Sequence, residues 1–148
     1  MVSEHFSWDE VVTTDTGLEN EIPEVLKPNA QRLADTVLEP LRILLGPMRV
    51  DSWYRSPAVN KAVWGVETSY HRLALAADCV PAGNVFNKFK LALTLLDTLP
   101  IDQIIFEHRH SDWIHIGTAK DGATPRRQAL VSEPNPITGK MDYRAYRG

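Results

Sequence analysis

Residues 73–80 read LALAADCV, and how this run is placed decides the fold. It is almost wholly apolar, the signature of a strand covered on both faces at the centre of a sheet. One residue breaks the pattern. Asp78 carries a carboxylate into the run, and burying a lone charge is costly enough to require a partner: a cation, a hydrogen-bond donor or a metal. Cys79, next to it, points to the opposite face and reads as a small core hydrophobe.

Further strands lie on either side. MRVDSWY (Met48 to Tyr54) alternates in the way of a strand. DQIIFE (Asp102 to Glu107) and DWIHIGTA (Asp112 to Ala119) are separated by the short polar turn HRHS, which predicts a hairpin. RRQALVS reads as one more strand. The stretch from about residue 133, EPNPITGKMDYRAYRG, is dense in turn residues and reads as a tail.

Helical spacing is clearest after Pro28, where Ala30, Leu33, Ala34, Val37, Leu41, Leu44 and Leu45 recur at three- and four-residue intervals. Pro28 suits the first turn and Gly46 the position just past the end, while Pro40 predicts a kink. SWDEVV carries Ser7 and Glu10 in capping-box spacing. SPAVNKAVWG reads as a short helix opened by Ser56 and Pro57 and stopped by Gly65. Asn84 caps another, whose face is Val85, Phe89, Ala92 and Leu96. Helices combined with hairpin-connected strands place the chain in the α+β class.

At 148 residues the chain fits one domain, spanning 1–148. A net charge of −3 and a pI near 5.9 give no reason to expect a nucleic-acid partner. Cys79 is the sole cysteine, which excludes an internal disulfide and suits a reducing compartment. No apolar run approaches the ~20 residues of a membrane span. MVSEHFSWDE has no basic segment followed by an apolar one, so the expectation is synthesis in the cytoplasm without a signal peptide.

Three groups could meet around the central strand: His71, Asp78 and His115. Alternation in DWIHIG puts Trp113, His115 and Gly117 on one face. Two imidazoles and a carboxylate are a ligand set used for catalytic zinc, with a fourth position left to water. Taken singly each is weak evidence. A histidine in a strand is more often packed core, and a buried carboxylate more often pairs with arginine or backbone amides.

The motifs together are more specific. SYHRLALAAD followed downstream by WIH resembles the M15 metallopeptidase pattern S-x-H-x-x-G-x-A-x-D then W-x-H, and SWYRSPAVN resembles that family's Ser-x-Tyr-Arg-Ser segment. The family includes D-Ala-D-Ala carboxypeptidases, vancomycin-resistance dipeptidases and phage L-alanyl-D-glutamate endolysins. The resemblance implies a small single domain with a mostly antiparallel sheet packed against helices, as in Hedgehog and DD-peptidase folds. It implies one Zn²⁺ per chain held by His71, Asp78 and His115, and Arg55 contacting substrate or steadying an oxyanion. The family's glycine three residues after the first histidine is Ala74 here, which a positive φ would strain.

The same resemblance implies a peptidoglycan stem peptide as partner, cleaved by a carboxypeptidase or by an endopeptidase of the phage-endolysin type, a monomer that acts at the cell wall after cytoplasmic synthesis. It leaves two candidates for the general base. Asp112 matches the family position three residues before the second histidine, whereas Glu107 ends DQIIFE. Asp112 is favoured, although strand parity turns it from the His115 face unless the turn reorients it. Ser69, Tyr70 and Trp113 are candidates for positioning substrate. A module of the same fold that keeps zinc without turnover is the alternative reading.

Overall fold

The periodic apolar positions of residues 27–45 form one long helical run in the computed structural model, which describes all 148 residues. It consists of α2 (Lys27–Leu33), a π turn (Ala34–Leu38) and α3 (Glu39–Leu45). Pro40 falls in the first turn of α3, and the wider turn ahead of it accommodates the missing N–H. The proline therefore produces a bulge within the helix. The shorter helices start as their caps predict. In α1 (Trp8–Val11) Ser7 and Glu10 close a reciprocal capping box. Ser56 caps α4 (Pro57–Ala62) and Asn84 caps α5 (Val85–Ala92).

Six strands make one sheet: β1 (Met48–Ser52), β2 (Ala76–Pro81), β3 (Ile101–His108), β4 (Asp112–Thr118), β5 (Gln128–Pro134) and β6 (Met141–Ala145). Their order is β1-β2-β4-β3-β5-β6, antiparallel throughout except for the parallel pair β3 and β5. With several helices packed on it, this is the α+β arrangement with a mostly antiparallel sheet.

Two of the differences from the sequence reading bear on the site. The central strand starts at Ala76, not Leu73, because Tyr70–Leu73 form a 3₁₀ turn that ends on a left-handed Ala74. The tail expected from about residue 133 instead contributes the end of β5 and all of β6. MDYRA was missed because an edge strand exposed along nearly its whole length shows no inside–outside alternation. Backbone pairing with β5, from Leu130 opposite Ala145 to Pro134 opposite Met141, holds it in place.

Register sorts the sheet's two faces. Asp78 pairs with His115, Ile105 with His115 and Glu107 with Trp113, so these side chains share one face. On the other face Cys79, Ile104, Phe106, Ile114, Ile116 and Val131 join Leu33, Val37, Leu41, Leu45 and Phe89 in a single buried core. Each such aliphatic or aromatic side chain stabilises the fold by about 1.5–3 kcal/mol. Burial of this face against the helices leaves the opposite one free to carry chemistry.

Candidate metal centre

The turn bearing His71 is held by the segment SWYR that precedes α4. Trp53 is fully buried and grips the turn at two points: its carbonyl accepts from His71 Nδ1 at 2.7 Å, and its indole N–H donates to the Ala74 carbonyl at 3.1 Å. The Arg55 N–H donates to the His71 carbonyl at 2.9 Å, and an Arg72 guanidinium nitrogen to the Arg55 carbonyl at 3.1 Å. Ala74 has φ 59, so the glycine-favouring position is real and this chain fills it with a strained alanine. Its buried methyl and the Trp53 hydrogen bond keep it there.

This framing orients the imidazole. With Nδ1–H donated to Trp53, the Nε2 lone pair of His71 faces Asp78 Oδ1 at 3.3 Å. His115 Nδ1 lies 3.1 Å from the same oxygen, and the two imidazole rings stand edge to face with centroids 5.2 Å apart. The other Asp78 oxygen, Oδ2, accepts from Arg55 at 3.1 Å, while Arg55 Nε donates to Ser52 Oγ at 3.0 Å. Arg55 is thus the cation that a carboxylate in an apolar strand requires. Asp78 faces both an arginine and two imidazoles; the sequence posed these as separate options.

Electrostatics match that geometry. Burial holds His71 below the ordinary histidine range, keeping the neutral form a metal needs. Burial alone would raise Asp78, but His71 and His115 facing it keep its carboxyl well below the usual carboxylate range. Burial drives the Cys79 thiol far upward, in keeping with an inert core residue. One donor atom from each of His71, Asp78 and His115 lies within 4.8 Å of the others, a grouping that could hold a metal ion. The cluster forms part of the wall of a cleft of about 970 Å³, a volume typical of ligand sites.

A family model described as peptidase M15 matches residues 4–117. The chain belongs to the M15 peptidase family. No curated protein matches it. The matched span contains the SWYR segment, the His71 turn, Glu107 and the two ligand-bearing strands as far as Gly117. M15 peptidases are typically metal-dependent, in keeping with the donor cluster.

The remaining candidate residues separate in space. Glu107 is buried, lines the cleft and shares the sheet face of His115, one diagonal step away across β3 and β4. Burial pushes its carboxyl above the ordinary glutamate range, with Ser132 opposing that shift. Asp112, favoured from sequence, stands on the face of β4 that carries Ile114 and Ile116; it pairs with His108 and is not part of the cleft wall. No bulge reorients it, since β3 and β4 keep unbroken register from Gln103 to His108. Strand parity prevails over family position.

Ser69 and Trp113 line the cleft; Tyr70 lies instead beneath Lys120, whose ammonium sits 6.0 Å from its ring. Ser69 Oγ accepts from the His71 N–H, which caps the ligand turn. Trp113 has a buried indole N–H with no acceptor. Other cleft residues were missed from sequence: Val63, Trp64 and Val66 after α4, Arg109 in the β3–β4 turn, and Lys140, Met141 and Tyr143 on the last hairpin. Burial pushes the Tyr143 hydroxyl upward, and the nearby Glu107 charge adds to the effect. The one available signal was Trp64 beside Gly65 at the end of the SPAVNKAVWG pattern.

Proposed function

We propose that this protein is a zinc peptidase that hydrolyses peptidoglycan stem peptides, with Glu107 as general base. The observation that carries the reading is the His71–Asp78–His115 cluster in the cleft wall with a buried glutamate beside it on the same sheet face. Two imidazoles and a carboxylate suit zinc. His71, Asp78 and His115 would hold the ion, which when bound supplies Lewis-acid polarisation of the scissile carbonyl and acidifies a water.

The chain's own residues do the rest. Trp53 and Arg55 fix the donors, so that little rearrangement accompanies binding. Glu107 takes a proton from water at its carboxylate and returns it to the leaving amine. Its raised affinity for protons makes it a stronger base for the first transfer. Arg55 uses Nη2 on Asp78 and Nε on Ser52, leaving Nη1 without a protein partner. That nitrogen serves the oxyanion that develops as the carbonyl is attacked. Trp113 walls the cleft beside Glu107. A zinc-bearing module without turnover needs no base at this place, so Glu107 favours the enzyme.

The context proposed with this activity is a monomer acting on the cell wall, with no nucleic-acid or membrane partner. The test is digestion of purified sacculi by the recombinant chain, with fragments read by mass spectrometry. New peptide termini that disappear with chelator and return with zinc support the proposal, and their masses name the bond. Intact sacculi with a zinc-loaded protein refute it.

A further inference from the structure

The mouth of the cleft is built around a residue that gives the core nothing. α4 ends in a Schellman motif, with the Trp64 N–H on the Lys61 carbonyl at 3.1 Å and the Gly65 N–H on the Asn60 carbonyl at 2.8 Å. The left-handed position of that motif, usually glycine, is occupied by Trp64 with φ 61. Gly65 follows it for a separate reason. A Cβ there would stand 2.0 Å from Asn60 Oδ1, and the buried Asn60 donates from Nδ2 to the Val66 carbonyl at 2.9 Å. The loop is therefore braced from beneath, and Trp64 is 92% exposed.

A bulky residue in the left-handed region is strained, and indoles seldom stand so far into water. Neither property helps folding. Trp64 also lines the cleft with Val63, Gly65 and Val66, in company with Lys140, Met141 and Tyr143 from the last hairpin. Strain and exposure at the entrance to a chemical site are what a substrate contact would require.

We infer that Trp64 is a specificity-determining residue whose indole covers the bound peptide at the cleft mouth, with Val63 and Val66 completing an apolar lip. This rests on the peptidase reading for the nature of the ligand. Indole packing on the peptide adds binding felt equally in the bound and reacting states, so it bears on KM more than on kcat. The position trades backbone comfort for a contact made only when substrate is present.

The experiment compares Trp64→Gly and Trp64→Phe with the unsubstituted zinc-loaded chain, using a soluble stem tetrapeptide. Trp64→Gly removes the indole and relieves the left-handed backbone, so its Tm should not fall. Its KM should rise about tenfold with kcat within about threefold, and Trp64→Phe should recover most of the loss. A KM within about twofold of the unsubstituted value in Trp64→Gly overturns the inference, as does a dimer that this substitution dissociates. If no variant turns the peptide over, the peptidase reading fails separately, and calorimetric binding of the same peptide decides. A tenfold weaker Kd in Trp64→Gly sustains the role of the indole; equal affinities, or no binding by any variant, overturn it.

Discussion

Replacing Glu107 by glutamine tests the assignment of the base against its rival on the other face of β4. Glutamine keeps shape and size but cannot accept a proton from water. A positioned general base contributes about 10²–10⁴ in rate, or about 3–5 kcal/mol of barrier. Glu107→Gln should therefore lower kcat by at least about a hundredfold. His71, Asp78 and His115 are untouched, so zinc content should stay near one per chain. Because burial disfavours the Glu107 charge, the neutral amide should leave the Tm of the metal-free protein unchanged or higher. Asp112→Asn removes only a pair with the exposed His108, whose contribution to stability is about 0–1 kcal/mol. Its kcat should stay within about threefold of the parent. Turnover is measured by chromatography of cleaved stem peptide, and zinc by atomic absorption on the same samples. If Asp112→Asn is the more damaged variant while Glu107→Gln keeps more than about a tenth of parental kcat, the reasoning from strand parity is wrong.

Further outcomes follow from other parts of the site. His115→Ala should lose both zinc and activity, since His71 and Asp78 alone hold a catalytic ion poorly; unchanged zinc content would remove His115 from the ligand set. In the metal-free protein Glu107 should titrate above the ordinary glutamate range, as read from carboxyl carbon NMR shifts. Its folded value is raised, so its contribution to stability is full at low pH and is lost as pH rises from the unfolded value through the folded one. An unshifted titration would show that the cleft is wetter than its geometry implies. Ala74→Gly relieves a left-handed backbone costing about 1–2 kcal/mol. It also gives up a buried methyl worth about 0.8 kcal/mol and adds about 0.5–1 kcal/mol of unfolded-chain entropy. Urea denaturation should show a net change within about 1 kcal/mol, and a loss above about 2 kcal/mol would mean the methyl is a packing element.

The legible parts of this molecule were those in which local chemistry repeats. Ser7, Ser56 and Asn84 announced three helix starts because each cap is a contact with a backbone N–H only two or three residues away. LALAADCV announced the inner strand because residues pointing to both its faces are buried. Asp78 announced the site because a charge in such a strand demands a partner. Asp112 was favoured because motif spacing was weighed above a period of two, which the unbroken β3–β4 register obeys and which turns Asp112 away from the cleft. β6 was illegible because it has no core side chain to leave a pattern. The cleft wall it carries could not be placed without it. Trp64 lay in plain view as the residue ahead of a stopping glycine. Its left-handed backbone belongs to the Schellman end of α4, a place that the sequence pattern assigns to glycine.

The position of the last hairpin has an evolutionary consequence. His115, Asp78 and Glu107 sit on three adjacent inner strands, whereas Lys140, Met141 and Tyr143 sit at the margin, attached through the sheet's only parallel pairing. The family match stops at residue 117, ahead of that margin. An outermost ribbon can lengthen, shorten or change composition while the ladders between β2, β4 and β3 stay intact. Descendants of this architecture can thus reshape the cleft margin by remodelling the β5–β6 hairpin, with the donor cluster left in place.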